Sequence, residues 1–238
     1  MPPPKSPLAI WSLVCGILTF LCLGPLAGIA AIICGHLALG AIKRSQGTLG
    51  GTGLAVAGLV LGYFGTVIVG LALVAALVFP AISAAKDGAR RAKARQDELS
   101  IVHAVEQYET TYGQNPDPAG GERRDVTVAE DNHKLFNILR DLEPDHRNNP
   151  KRQVFFTAPD AHGEGKPRDG FDSNGVFRDP WGNPYLIRID LNGDGVVEDP
   201  YGTSPTDTIQ VSVIVWSLGP DGLPGSHGSG DILSWSSR

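Results

Sequence analysis

The sequence predicts membrane helices followed by an α+β body, in which a long helix packs on a small antiparallel β-sheet. Three observations carry this reading. Residues 1–80 of the 238 hold only three charges, Lys5, Lys43 and Arg44, and no acid. From Val67 to Tyr112 an uncharged run, VIVGLALVAALVF, passes through Pro80 into a segment with apolar residues at three- and four-residue spacing. Such a segment is expected of a helix that leaves a membrane and lays one face on a folded body. Beyond it come short β-prone runs separated by Gly, Pro, Asn and Asp clusters, the pattern of an antiparallel sheet.

The overall composition, 42% hydrophobic, averages two unlike polymers. Residues 96–238 carry 12 basic and 24 acidic side chains. A body this acidic is excluded as a nucleic-acid binder, because phosphate contacts need clustered Lys and Arg. The three cysteines, Cys15, Cys22 and Cys34, all lie in the apolar N-terminal part and match no thiolate ligand motif, so they read as small hydrophobes.

Taken in order, Leu8 to Leu23 is apolar, breaks at Gly24-Pro25 and resumes from Leu26 to Ile42. A span needs ~20 apolar residues. Each half is slightly short, and together they predict a tight helical hairpin with its turn at Gly24-Pro25. A signal peptide is the competing reading, but the apolar sequence runs on past any cleavage site into Lys43-Arg44. Lys5 and Lys43-Arg44 mark the cytoplasmic side. After the loop KRSQGTLGGTG, a third apolar segment, Leu54 to Phe79, must then end outside, although the basic cluster Lys86–Arg95 would by charge bias alone favour the cytoplasm. Glycines 58, 62, 65 and 70 supply close-packing faces, with Gly58-x-x-x-Gly62 as one pair, or simply reflect how common glycine is in membrane helices. His36, near the end of its span, is placed at the membrane interface.

In the second half of the long helix Ile82, Leu99, Val102, Val105 and Tyr108 can share one stripe, with Arg90, Lys93, Arg95, Glu98 and Glu106 on other faces. Gly113 and Pro116 end it. A polar, turn-rich stretch from Asp117 to Glu130 follows, then HKLFNILRDL as a short helix. Strands are expected at Gln153–Thr157, Tyr185–Ile189, Ile209–Ser217 and Ile232–Trp235, with no internal repeat. The organisation expected is 1–65 as membrane hairpin and start of the third span, 66–114 as the long helix, and 115–238 as the exported domain.

Two acidic, glycine-rich loops are the candidate sites. In the first, Asp190, Asn192 and Asp194 alternate, with Gly195 at the sixth position and Glu198 beyond, as at the opening of a helix-loop-helix calcium loop. The twelfth position is Tyr201 rather than a bidentate Glu, and an Asx-rich turn between strands is the alternative. The second, Ser217 to Trp235, has only Asp221 and Asp231 as acids and Leu223 as an apolar anchor. A bound calcium would fix it; a plain surface loop is the alternative.

The arc from Val67 to the C-terminus resembles the major pseudopilins of bacterial type II secretion systems, relatives of type IV pilins, over about residues 60–238. The motifs carrying this are Pro80 before the basic segment AKDGARRAKARQD, Tyr108-x-x-x-Tyr112-Gly113-x-x-Pro116, Asp179-Pro180-Trp181-Gly182-Asn183-Pro184-Tyr185, Ser217-Leu218-Gly219-x-Asp221-Gly222, and Asp231-Ile232. The resemblance implies a pilin-like fold and a non-enzymatic structural component held in the bacterial inner membrane, with its body on the periplasmic or extracellular side. It implies pseudopilin or secretion-system membrane subunits as partners, with no nucleic acid and no small-molecule substrate. It also implies a calcium in the C-terminal loop, with Asp221 and Asp231 as carboxylate ligands, Leu218 as a main-chain ligand and Ser229 as a secondary candidate.

The sequence departs from that family at the start of the helix. With Pro80 aligned, Gly58 precedes the expected cleavage point and Tyr63 stands where the assembly-guiding Glu belongs; the first acid of the chain is Asp87. Residues 8–65 resemble instead a small bacterial membrane domain of unknown function. A membrane sensor or scaffold with a pilin-like binding body that never polymerises is therefore the second reading. Enzymatic activity is not expected: the six histidines show no mutual ligand spacing, and neither Ser217 nor Ser229, near His227, sits in a nucleophile turn. Trp181 and Trp235 read as core and turn anchors.

Overall fold

The computed structural model describes residues 3–21, 24–121, 124–225 and 230–235. The chain divides into two compact units, Met1–Ala85 and Lys86–Arg238. Helices α1 (Pro7–Leu21) and α2 (Gly24–Arg44) belong to the first, and α3 (Thr52–Tyr112) contributes to both. Gly24-Pro25, the expected hairpin turn, instead opens helix α2, where a proline in the first helical turn is tolerated; Cys22-Leu23, just before it, lie outside the described residues.

In the first unit, α2 and α3 are long and apolar enough to cross a membrane, whereas α1 is shorter. Small side chains let the three approach. Gly58 of α3 lies so close to α1 that an added Cβ would stand 2.2 Å from Ser12 Oγ, and one on Gly62 would stand 3.1 Å from the Gly28 carbonyl oxygen of α2. The Gly58/Gly62 face is accordingly spent on packing within this chain. Ser12 Oγ, buried in the same region, donates to the Ala31 carbonyl at 2.8 Å, so its polarity is satisfied. Large apolar side chains such as Trp11, Leu26, Phe64 and Leu71 point outward and are 60–75% exposed. Apolar surface on that scale suits a hydrocarbon solvent or a partner rather than water.

In the second unit, the C-terminal half of α3 packs on an antiparallel sheet. The strands are β1 (Val126–Val128), β2 (Gly170–Phe171), β3 (Phe177–Arg178), β4 (Leu186–Ile189), β5 (Val197–Glu198), β6 (Thr208–Ile209), β7 (Val213–Ser217) and β8 (Ile232–Leu233), with helix α4 (His133–Leu139) between β1 and β2. The main sheet runs β1-β4-β7-β8, and β2-β3 and β5-β6 form two-stranded ribbons. Register Ile187↔Val215 and Ile189↔Val213 sets these side chains beside Ile101, Val105 and Tyr108 of α3 in one core. On its other flank, Phe136 of α4 meets Phe156, Phe171 and Phe177, with ring centroids 5.0–5.2 Å apart. Each such buried ring stabilises the fold by about 1.5–3 kcal/mol.

Several elements differ from expectation for identifiable reasons. Leu99 and Ile82 are over 40% exposed; the buried stripe is Ala94, Glu98, Ile101, Val105 and Tyr108, so an acid occupies a core position. Residues 153–157 form no strand, because the N–H groups of Phe155 and Phe156 both go to the Leu139 carbonyl at the end of α4. The run 209–217 is two strands: Ile209 pairs with Val197, and residues 213–216 pair with β4. Strand β1 lies within the stretch expected to be only turns, and β2, β3 and β5 are too short to show a period. Pro80 sits inside α3 without ending it, and Gly113, at φ +73°, follows its last residue.

Candidate metal site in the C-terminal loop

The C-terminal loop hangs from a turn that one carboxylate organises. Asp179 is fully buried. Its Oδ1 accepts the N–H groups of Trp181 at 2.9 Å and Asn183 at 2.8 Å, and its Oδ2 accepts the Ser217 hydroxyl at 2.6 Å. Burial raises the Asp179 pKa, and these donors work against that rise. Gly182, at φ +88°, has no room for a Cβ, which would meet the Pro167 carbonyl oxygen at 2.8 Å. Asn183 Nδ2 then donates to the Gly219 carbonyl at 2.7 Å, carrying the turn into the loop.

The loop closes at a neck. Gly219 lies at φ +64°, and a Cβ there would stand 2.5 Å from the Gly230 carbonyl oxygen, so the outgoing and returning chains touch through glycine. Arg91 of α3 donates Nη1 to that same Gly230 oxygen at 3.2 Å. Just past the neck, Asp231 Oδ2 accepts the Tyr201 hydroxyl at 2.5 Å and the Gly225 N–H at 3.2 Å. Asp221 Oδ1 accepts the Leu223 N–H at 3.2 Å. Burial and the charges of Asp231 and Asp221 push the Tyr201 phenol up, so both carboxylates act on one hydroxyl. Leu218 packs with Trp216 and Trp235 in a satellite core. Ser229 lies outside the described residues.

Of the expected calcium ligands, the structure thus brings Asp221 and Asp231 to the same region and sets Leu218 at the neck. The donor set fits a hard cation, being carboxylate and main-chain oxygen. Among the described residues no three His, Cys, Asp or Glu side chains gather as a metal-holding group, so a cation held here would need main-chain oxygens beside the two carboxylates.

The Asp190 loop is arranged differently. Asp190 Oδ1 and Oδ2 accept the N–H groups of Gly193 at 2.6 Å and Gly195 at 2.8 Å. Asn192 Oδ1 accepts from Asp194 N, and Asp194 Oδ1 from Val196 N. Glu198 pairs with Arg188 at 3.1 Å. These side chains hold their own backbone in Asx turns. The loop joins β4 to β5, which pair with other strands and not with each other.

Three features were not read from the sequence. Asp199 repeats the Asp179 arrangement, accepting the N–H groups of Tyr201 at 2.9 Å, Thr203 at 2.6 Å and Ser204 at 2.8 Å, with Gly202 at φ +59°. The signal was present: Asp-Pro-Trp-Gly-Asn at 179–183 and Asp-Pro-Tyr-Gly-Thr at 199–203 are one turn used twice. Tyr201 is the second, and its hydroxyl reaches Asp231. Glu98 is the third. It is fully buried, and among the described residues no donor makes a well-formed hydrogen bond to either carboxylate oxygen, the Ser217 N–H being only a weak influence. Burial pushes its pKa up to about 9, with weaker pulls the other way from Arg95 and the Ser217 N–H.

In the first unit, His36 Nε2 and the Tyr63 hydroxyl are 3.1 Å apart, so Tyr63 is engaged within the chain.

Residues 8–72 match a protein-family model described as a domain of unknown function, DUF4190. No curated protein and no solved structure matches the chain.

Proposed function

We propose that this chain is a membrane-anchored, non-enzymatic, pilin-like structural subunit of a secretion or pilus-type assembly, whose exported body carries a calcium-tied C-terminal loop. The observation that supports this most is the glycine neck between Gly219 and Gly230. It hangs a loop with Asp221 and Asp231 from a turn that is itself anchored on the sheet through Ser217. A loop of Gly, Pro and Ser buries little apolar surface of its own, and a divalent cation supplies the missing fixation. The apolar N-terminal helices supply the anchor and the sheet-backed helix the body.

A second reading is favoured by Gly58. Its close packing on Ser12 and Leu13 buries the expected cleavage point beneath α1, and Tyr63 replaces the acid that guides assembly. On that reading the chain is never cut and serves as a membrane sensor or scaffold. Intact-mass analysis of the chain purified from membranes separates the two: a mature N-terminus near Leu59 supports the assembling subunit, and an uncut chain refutes processing and supports the scaffold.

A further inference from the structure

Immediately after the apolar segment of α3, residues 86–95 carry Lys86, Arg90, Arg91, Lys93 and Arg95 against a single acid, Asp87. Every residue from 76 to 92 is exposed, so this part of the helix is bare on all sides. Two of the five cations are used within the body: Arg91 on the Gly230 carbonyl, and Lys93 on Asp97 at 2.5 Å and Asp169 at 3.5 Å. Among the described residues Lys86, Arg90 and Arg95 make no ion pair, although the body they adjoin holds 24 acids.

Lys86 and Arg90 stand four residues apart, on one helix face. They follow Phe79, the end of the apolar run, by seven and eleven residues, or roughly 10 and 16 Å at the helical rise. The headgroup layer of a bilayer adds about 5–7 Å beyond the hydrocarbon on each side. Helical side chains lean toward the N-terminus, here back toward the apolar run, and long basic stems snorkel to a membrane surface. The Lys86 ammonium therefore reaches phosphate level from just beyond it, and Arg90, one turn further out on the same face, adds its charge within a Debye length of the phosphates.

We infer that Lys86 and Arg90 form an anionic-phospholipid site, a collar that binds headgroup phosphates in the leaflet where α3 leaves the bilayer. This rests on the membrane-anchored reading above. A lipid fits better than an acidic protein surface, because Lys86 and Arg90 are the two cations nearest the apolar run and among the described residues neither pairs with an acid of the body, whereas Arg91 and Lys93 beside them have protein acceptors. Bound there, the headgroups fix how far α3 can slide along its axis, and so the height at which the body stands.

The test uses the full chain in two steps. Alkaline carbonate extraction of membranes comes first; release of the chain sinks the membrane reading and the collar with it. The chain is then purified in mild detergent and offered phosphatidylglycerol and phosphatidylcholine in equal amounts, with retained lipid read by native mass spectrometry. The wild type is expected to retain phosphatidylglycerol at least tenfold over phosphatidylcholine. The double variant Lys86→Gln/Arg90→Gln is expected to lose most of that preference, at roughly fivefold per cation removed. Exposed Lys134→Gln serves as control and keeps it. A chain that resists extraction yet shows no lipid preference, or a double variant that matches the wild type, overturns the collar alone. Displacement of the anionic lipid by a soluble acidic protein at equal concentration overturns it in favour of a protein partner.

Discussion

Ser217 donates its hydroxyl to Asp179 Oδ2 at 2.6 Å, which ties the last residue of β7 to the turn that feeds β4. Both residues are buried, and the bond sits where the sheet hands the chain over to the C-terminal loop. Removing the carboxylate strands its buried donors away from water, whereas removing the Ser217 hydroxyl leaves Asp179 its two backbone donors. Asp179→Ala, which also orphans the Trp181 and Asn183 N–H groups, is expected to cost about 3–5 kcal/mol, and Ser217→Ala about 1–3 kcal/mol. Thermal unfolding of the full chain in detergent checks the order; equal effects would mean that the turn does not depend on its carboxylate.

Glu98 occupies the middle of the buried stripe of α3, and among the described residues its carboxylate accepts no well-formed hydrogen bond. Its folded pKa of about 9 stands above the ordinary value of 4.5, so between these limits the folded chain holds a proton that the unfolded chain has lost. Stability contributed by the protonated form is therefore complete below about pH 4.5 and is lost as pH rises toward 9, by up to about 1.4 kcal/mol per pH unit. Glu98→Leu is expected to flatten that slope and to stabilise the body by about 1–4 kcal/mol at neutral pH. Denaturant titrations at pH 5, 7 and 9 decide it; parallel slopes for both proteins would show that Glu98 does not titrate in this range.

Gly58 and Gly70 make a matched pair within α3. A Cβ on Gly58 collides with Ser12, while one on Gly70 meets nothing within 4 Å. Gly58→Val is expected to separate α1 from α3 and sharply raise trypsin sensitivity at Lys43 and Arg44; Gly70→Val is expected to leave it unchanged. Limited proteolysis of membrane vesicles distinguishes them, and equal sensitivity of the two variants would refute the packing.

How much of this was legible in the sequence depends on which interactions set each element. The apolar helices, the exit of α3 at Gly113, α4 and the strand β4 follow from local pattern and are found close to where the pattern puts them, while β7 is the second half of a run expected as one strand. Strands of two residues carry no period, so β2, β3 and β5 are defined only by their partners. The segment 153–157 has strand composition, yet its N–H groups are taken by the end of α4, a tertiary choice invisible to propensity. Glu98 is charged, and a pattern reading assigns charge to the outside; only the packed helix reveals it in the core. The Asp190 loop shows a different limit: alternating oxygens read equally as cation ligands or as Asx-turn acceptors, and the hydrogen bonds go to the backbone. The Tyr201 contact with Asp231 joins residues thirty apart, and no spacing rule announces it.

The proposal of a calcium tie in the C-terminal loop is tested most directly by melting the full chain with excess calcium and with chelator while counting bound ions. Uptake of one ion per chain and a rise in midpoint of about 5–10 °C are expected at calcium near a hundredfold above its dissociation constant. Both are expected to vanish in Asp231→Ala and to survive in Tyr201→Phe, which removes a hydrogen bond from Asp231 while keeping the carboxylate. An unchanged midpoint with no calcium taken up by the wild type would contradict the loop's role as a metal site.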